Sequence, residues 1–344
     1  MIAAIFREPG KIFIEESPLR KLRSSEVLVS VNYCGVCGTD KHIYEGNGTS
    51  KIPVILGHEF SGVVFDKAED VPSNIQIGDP VTIDPNIHCG YCKYCREGKI
   101  NFCENHRAIG VTEDGGFAEY VVVPAAQVYT LPKDFDLSLA AFAEPLSCCL
   151  RGIEHAKIKH GDSVVIIGGG SIGLLMVQLA NMSGAADVVL IEPLENKQEL
   201  GLELGADISL SPDEKDIQKI ISEYTNGGAD VVIECAGKKE TVELSVGLVA
   251  KGGKVIIFGL SPKGEKLNID LQYLFRNEIS IYNSYLNPFT FASAVELLVS
   301  KRIKVEKLIT EQIVLENINK IFNSNGNSQN IKCQVITKKK EELC

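Results

Sequence analysis

The chain has 344 residues, enough for two domains at the usual ~100–200 residues each, and its 44% hydrophobic and 23% charged content is ordinary for a globular protein. A formal charge of −10 opposes polyanions, because nucleic-acid contacts depend on Lys and Arg neutralising phosphates; no nucleic-acid partner is expected. No stretch reaches the ~18 apolar residues of a membrane span, and the opening MIAAIFREPGKIFIEE lacks a basic region followed by a long apolar run, so a soluble, cytoplasmic protein with no membrane partner is expected.

From residue 1 to about 130, short β-rich runs such as Val27 to Val31, Gly62 to Phe65 and Tyr120 to Val123 are broken at irregular spacing by Gly, Pro and Asp, the pattern of a β-barrel-like domain. Within it, CGVCGTDKH supplies Cys37, Thr39, Asp40 and His42, and GHEFSG supplies His58 and Glu59. Each string alone has an ordinary reading: Cys34 and Cys37 as a redox pair, His58 beside Glu59 as a surface or core pair. Taken together, a thiolate, an imidazole and a carboxylate make three ligands for a catalytic zinc and leave a fourth position for water or substrate.

Further on, CGYCKYCREGKINFC sets Cys89, Cys92, Cys95 and Cys103 at intervals that let four thiolates converge within one loop, about residues 88–104. Four sulfurs are the ligand set of a closed structural zinc site. Eleven cysteines, an odd number with four in one window, suit metal ligation in a reducing compartment better than a disulfide framework. An iron–sulfur cluster shares the ligand type, but its fourth cysteine usually comes sooner and precedes proline, whereas Glu104 follows Cys103.

From about residue 160 apolar strands alternate with helical stretches: SVVII, SIGLLMVQLANMSG, DVVLIE, ENKQELGLELG, ADVVIE and GKVIIFG. Such alternation predicts an α/β domain with a doubly wound parallel sheet. Its first strand, Ser163 to Ile167, runs into Gly168, Gly169, Gly170, Ser171, Ile172 and Gly173 before an amphipathic helix, the pattern of a dinucleotide site. Glu192 ends the next strand, where a carboxylate can bind both ribose hydroxyls and repel a 2′-phosphate, favouring NAD over NADP. Lys197 is close enough to blunt that preference. Cys235, Ala236 and Gly237, and Phe258, Gly259 and Leu260, end later strands and are expected along the nicotinamide half, although Cys235 also reads as core. After Pro288, FASAVELLVSKR has helical spacing and IKCQVI is strand-like, and the basic run Lys338 to Lys340 reads as a solvated tail.

The strings CGVCGTD, GHEFSGVV, the four-cysteine lobe, GGFAEYVVVP, AEPLSC and GGGSIG follow one another over almost the whole chain, and in this order they resemble the zinc-dependent medium-chain dehydrogenase/reductase family, within it the sorbitol dehydrogenase-like branch. The chain departs from the usual family pattern at Ala68, where a glycine is common. The resemblance implies a GroES-like β-barrel catalytic domain built from residues 1–150 and 288–344, with a Rossmann cofactor domain at 151–287. It implies that Cys37 holds the catalytic zinc while Cys34 is a packed neighbour, and that Glu144 of AEPLS faces the same metal directly or through its water. On the residues alone, Glu144 reads equally as a buried carboxylate capping a helix. Cys148 and Cys149 read as small core residues. Thr39 and His42 match positions that pass a proton to solvent, against plainer readings as a loop anchor and a surface histidine.

The function this implies is hydride transfer between the secondary alcohol carbon of a polyol, of sorbitol, iditol or xylitol type, and NAD, giving the ketose. A homodimer or homotetramer joined through the cofactor domains is implied as well. L-Threonine 3-dehydrogenases and butanediol dehydrogenases share these motifs, and TDKHIYEG is similar to the threonine enzymes, whereas EPLSCCLRG leans toward polyols. A zinc-containing binding or regulatory protein that kept the fold and lost turnover is the reading of a different class.

Overall fold

The computed structural model describes residues 1–323 and 329–337, so the basic run Lys338 to Lys340 lies outside the described residues. The chain divides into two units, one formed by Met1–Ser147 with the residues from Pro288 onward, the other by Cys148–Asn287.

The first unit begins with β1 (Ile2–Glu8), β2 (Lys11–Glu16) and β3 (Glu26–Gly35), then helix α1 (Gly38–Tyr44), β4 (Val54–Ile55), β5 (Glu59–Lys67) and β6 (Pro80–Ile83). Strand β3 is longer than its β-branched run suggested. It pairs antiparallel with β5 along most of its length, which buries nearly every residue and carries pairing on to Gly35. The cysteine lobe follows, framed by β7 (Asn86–Ile87), α2 (Lys93–Arg96) and β8 (Arg107–Ala108). Strand β9 (Tyr120–Pro124) alternates buried and half-buried residues, as a strand with one face on a core must, and pairs with β3. Strand β10 (Val128–Thr130) and helix α3 (Leu137–Ala140) complete this part.

Helix α4 (Ala143–Ala156) carries the chain across the division at Ser147 and Cys148. The second unit alternates β11 (Ser163–Ile167), α5 (Ser171–Met182), β12 (Asp187–Ile191), α6 (Glu195–Glu203), β13 (Ile208–Leu210), α7 (Ile217–Tyr224), β14 (Ala229–Glu234), α8 (Lys239–Leu248), β15 (Val249–Ile257), α9 (Leu271–Arg276) and β16 (Ser280–Asn283). Its six strands are all parallel, in the order β13-β12-β11-β14-β15-β16. That is the doubly wound order, whose chain reversal lies beside β11, where such sheets bind nucleotides. The strands β11 and β12 are apolar without alternation because helices cover both sheet faces.

After Pro288 the chain returns to the first unit as α10 (Phe291–Val299), β17 (Ile309–Val314), α11 (Asn319–Asn323) and β18 (Lys332–Ile336). Strand β18 pairs antiparallel with β3 and completes a sheet in the order β10-β6-β5-β3-β18-β17. Leu315, Ile318, Phe322 and Val335 of this segment share one core with Val31, Phe60 and Phe117. Every residue of β18 is buried, including Lys332 and Gln334.

Candidate active site and metal centres

Two clusters of residues that could hold a metal ion occur among the described residues. In the first, Cys37, His58 and Glu59 bring one sulfur, one ring nitrogen and one carboxylate oxygen within 4.8 Å of one another. Local structure explains the convergence. Cys37 immediately precedes α1, and the Asp40 carboxylate in that helix's first turn accepts the Cys37 backbone N–H at 2.9 Å, fixing the turn. His58 and Glu59 lie at the start of β5, and the register sets Glu59 opposite Gly35, two residues before Cys37. Asp40 also stands 3.5 Å from His58 Nδ1, the second-layer carboxylate that metal-ligating imidazoles commonly have. Burial opposes a charged His58, yet the Asp40 carboxylate and the Cys37 sulfur outweigh it and hold its pKa well above the ordinary value. An imidazole in so anionic a corner either keeps a proton or gives a lone pair to a cation.

In the second cluster the sulfurs of Cys89, Cys92, Cys95 and Cys103 lie within 4.8 Å of one another, with Cys89 and Cys95 3.9 Å apart. Sulfurs around a tetrahedral zinc stand ~3.8 Å apart, so the four fit that ion. Backbone N–H groups point at the sulfurs: Cys89 N and Asn105 N at Cys103, at 3.3 and 3.4 Å, and Cys92 N at Cys89, at 3.4 Å. Burial works against a Cys89 thiolate, but N–H groups of Tyr91 and Cys92 bring its pKa down to about 6.

Other expected residues fall around these clusters. Cys34 is buried, its sulfur 3.7 Å from the Gly35 carbonyl, and takes no part in the three-ligand group. Thr39 and His42 are half-buried on α1. Glu144 is buried in the first turn of α4 and stands outside the group of three, though close enough for its charge to act on Lys332. Cys149 is core and Cys148 half-buried.

In the second unit, Gly168 takes φ +103°, a conformation closed to most side chains, and a Cβ on Gly173 would stand 1.7 Å from the Gly168 carbonyl oxygen. A Cβ on Gly170, by contrast, would meet nothing within 4 Å. No side chain caps α5, which Ser171, Ile172 and Gly173 open, and an uncapped helix N-terminus after a glycine turn suits a pyrophosphate. Glu192 is buried beside the loop, its carboxylate accepting Gly169 N–H at 2.6 Å and Leu194 N–H at 3.0 Å. Burial lowers the Lys197 pKa, partly countered by the charge of Glu192. Burial pushes the Cys235 thiol well up; Phe258 and Gly259 are half-buried, and Leu260 is exposed.

Three residues to which sequence reasoning gave no role stand out. Asp40 braces the first cluster. Glu234, fully buried at the end of β14, accepts Ala236 N, Gly237 N and Thr241 Oγ1 on one oxygen and so pins the Cys235–Gly237 turn. Lys332 donates to both oxygens of Glu59. The one signal for it in the sequence was a lysine opening a mostly apolar strand, and its partner, 273 residues away, appears only with the register.

A parallel dinucleotide-type unit joined to a β-rich unit with a three-ligand and a four-sulfur cluster defines a zinc- and nicotinamide-dependent oxidoreductase. Residues 23–133 match the alcohol dehydrogenase GroES-like domain and residues 171–300 the zinc-binding dehydrogenase domain. Sorbitol dehydrogenase of Halalkalibacterium halodurans is 34% identical, over 94% of this chain and 95% of that one. L-Threonine 3-dehydrogenase of Caldanaerobacter subterraneus subsp. tengcongensis is 36% identical over 78% of each. Among solved structures, a zinc-binding dehydrogenase of Sinorhizobium meliloti bound to NADP has a TM-score of 0.94 and 38% identity, covering 98% of this chain and 99% of that one. The chain belongs to the zinc-dependent medium-chain dehydrogenase family, in its sorbitol dehydrogenase-like branch, and is an alcohol dehydrogenase. No helix among the described residues is long and apolar enough to cross a membrane.

Proposed function

We propose that the chain oxidises a polyol of sorbitol, iditol or xylitol type at a secondary carbon with NAD, giving the ketose. The observation that carries this is the first cluster: a buried carboxylate, Glu59, stands with Cys37 and His58, so the centre is less thiolate-rich and more polar than a site built on sulfur. Such surroundings suit a substrate with several hydroxyls. A sorbitol dehydrogenase and a D-arabinitol dehydrogenase are among the relatives matched over nearly the whole chain, and the EPLSC string runs the same way.

Cys37, His58 and Glu59 would hold the catalytic zinc, with Glu144 facing it from α4, and the four-cysteine lobe would hold the structural one. Bound there, zinc lowers the pKa of an alcohol oxygen as it lowers that of water, which makes hydride loss from the adjoining carbon feasible near neutrality. Thr39 and His42 are the proposed exit for the released proton, an imidazole being suited by its ordinary pKa of ~6.5. Gly168, Gly170, Ser171, Ile172 and Gly173 would cradle the pyrophosphate. Glu192 would take the ribose hydroxyls: each carboxylate oxygen keeps a lone pair beyond its backbone N–H bond, and its charge opposes a 2′-phosphate. Lys197 tempers that charge. The turns at Cys235 and at Phe258, Gly259 and Leu260 would face the nicotinamide half.

The chain would act in the cytoplasm as a homodimer or homotetramer. Strand β16 lies at a sheet edge, and the nearby Leu271 and Phe275 are 77% and 84% exposed, apolar surface that a second copy would cover.

Initial rates with sorbitol, xylitol, galactitol, L-threonine and 2,3-butanediol, each with NAD and NADP, test the reading. A polyol with NAD should give the highest kcat/KM. A far higher value for threonine or butanediol would defeat the polyol reading in favour of that substrate, and reduction of neither cofactor by any alcohol would favour a binding protein on the same fold.

A further inference from the structure

The first unit buries a lysine that the reaction outlined above does not use. The Lys332 side chain is 4% exposed, and its Nζ donates to Glu59 Oε1 at 2.9 Å, to Glu59 Oε2 at 2.6 Å and to the Val36 carbonyl at 3.3 Å. An ammonium has three donors, so one carboxylate and one carbonyl saturate it. Three strands build this arrangement. Strand β5 presents Glu59, β3 sets Gly35 opposite it, and β18 pairs with β3 at Gln334 and Gly35, two residues from Lys332. A Cβ on residue 35 would lie 2.2 Å from Glu59 Oε2, so glycine there leaves the space in which carboxylate and lysine meet.

A cation fixed on both oxygens of Glu59 competes with a metal for the same charge. A carboxylate free of other bonds is a firm zinc ligand; one already accepting two charge-assisted hydrogen bonds has less electron density to give. We propose that Lys332 is a positioning residue of the metal centre, holding Glu59 beside Cys37 and His58 as a weak and replaceable ligand, so that a substrate oxygen can take its place. This rests on the reading of Cys37, His58 and Glu59 as a zinc site.

The test uses full-length protein reloaded with cobalt(II). For each protein the visible d–d absorption is taken as the difference from the same protein also carrying Cys37→Ser, which subtracts the cysteine lobe, and release of that metal to a chelator is timed. Lys332→Met is expected to shift the difference spectrum, to slow metal release several-fold because Glu59 then binds with its whole charge, and to lower kcat by ~10- to 100-fold. Lys332→Arg, which keeps a cation there, should retain the parent bands. In a Glu59→Gln background Lys332→Met should move spectrum and release far less, since the carboxylate is the lysine's hydrogen-bonded route to the centre and only its weaker charge effect on Cys37 and Glu144 remains. If Lys332→Met does not fold, Lys332→Gln is measured by the same readouts. No shift on removing the charge, or an equal shift with and without Glu59→Gln, overturns the proposal alone. A blank difference spectrum for the parent protein overturns the zinc reading and the proposal with it.

Discussion

Cys37 and Glu59 are held by different means, one by a helix start and the other by a strand register, and only their meeting makes a ligand set. Removal of the sulfur should therefore leave the fold standing: Cys37→Ser is expected to lower kcat/KM by ~10³-fold or more, the several kcal/mol a Lewis-acidic ion supplies, with the unfolding midpoint lowered only by the lost binding of that ion. Cys92→Ser should do the reverse, lowering the midpoint and shedding the lobe's metal, because the lobe has little other core. Thermal unfolding and metal analysis on both variants check the division; full activity and stability in both would refute it. A second residue-scale effect concerns pH. Asp70 accepts bonds from Ser24 Oγ, Ser25 N–H and Ser25 Oγ, and these hold its pKa near about 2 instead of 3.8. A depressed carboxylate stabilises the fold at all pH above its unfolded value and loses that contribution as pH falls through the folded one. Asp70→Asn should accordingly lower the unfolding midpoint by a constant amount above pH ~4 and converge with the parent toward pH 2. At this scale the residues that converge in the two clusters were legible in the sequence, since a thiol, an imidazole and a carboxylate, or four thiols, suit one ion when taken together. The braces were not: Asp40, Glu234 and Lys332 are ordinary residues whose work depends on neighbours brought in by folding.

The elements that position the site differ in how openly they announced themselves. Strand β11, the glycine turn and α5 were readable as elements from a continuous apolar run, a glycine cluster and a helix-length stretch, but the helix expected to be amphipathic is instead buried on every side from Gly173 to Ala180. Gly173 carries the closest contact in that turn, and Gly173→Ala should force it open, costing ~1–3 kcal/mol of stability and weakening dinucleotide binding ~10-fold or more; titration of cofactor fluorescence measures the second effect. Strand β3 was legible only in its first half, Val27 to Val31, because its far end up to Gly35 is held by partners from β5 and β18 that no local pattern names. Strand β18 was harder still. Its burial is continuous, so the period-2 alternation that marks a half-exposed strand is missing, and a lysine within it reads as solvent-facing until its partner is known.

Across the whole molecule, the chain rhythm changes near residue 160, whereas the first unit gives way to the second earlier, between Ser147 and Cys148 within α4, and the return of the chain after Pro288 rested on family resemblance. Metal analysis of the intact protein should find about two zinc ions per chain, falling to about one on Cys37→Ser. Sedimentation equilibrium should show a dimer or tetramer that Phe275→Asp weakens, because the exposed ring on α9, the helix preceding β16 in the chain, would carry a charge into the proposed contact; a parent protein sedimenting as a monomer would remove the oligomer from the account. Neither number of subunits nor substrate was written in any motif, since both depend on surface shape, which strings of ligands do not encode.

The Lys332 and Glu59 contact also has a temporal side. Ribosomes add ~5–20 residues per second, so the acid emerges roughly 14 to 55 s before the base that is 273 positions behind it. During that wait the nascent β-rich unit cannot close around Glu59 without stranding a charge, a penalty of ~3–5 kcal/mol for a pair with one partner missing. The interposed parallel-sheet unit has emerged completely by then and is free to fold first, and translation must pass Lys332 before the earlier-made unit can seal.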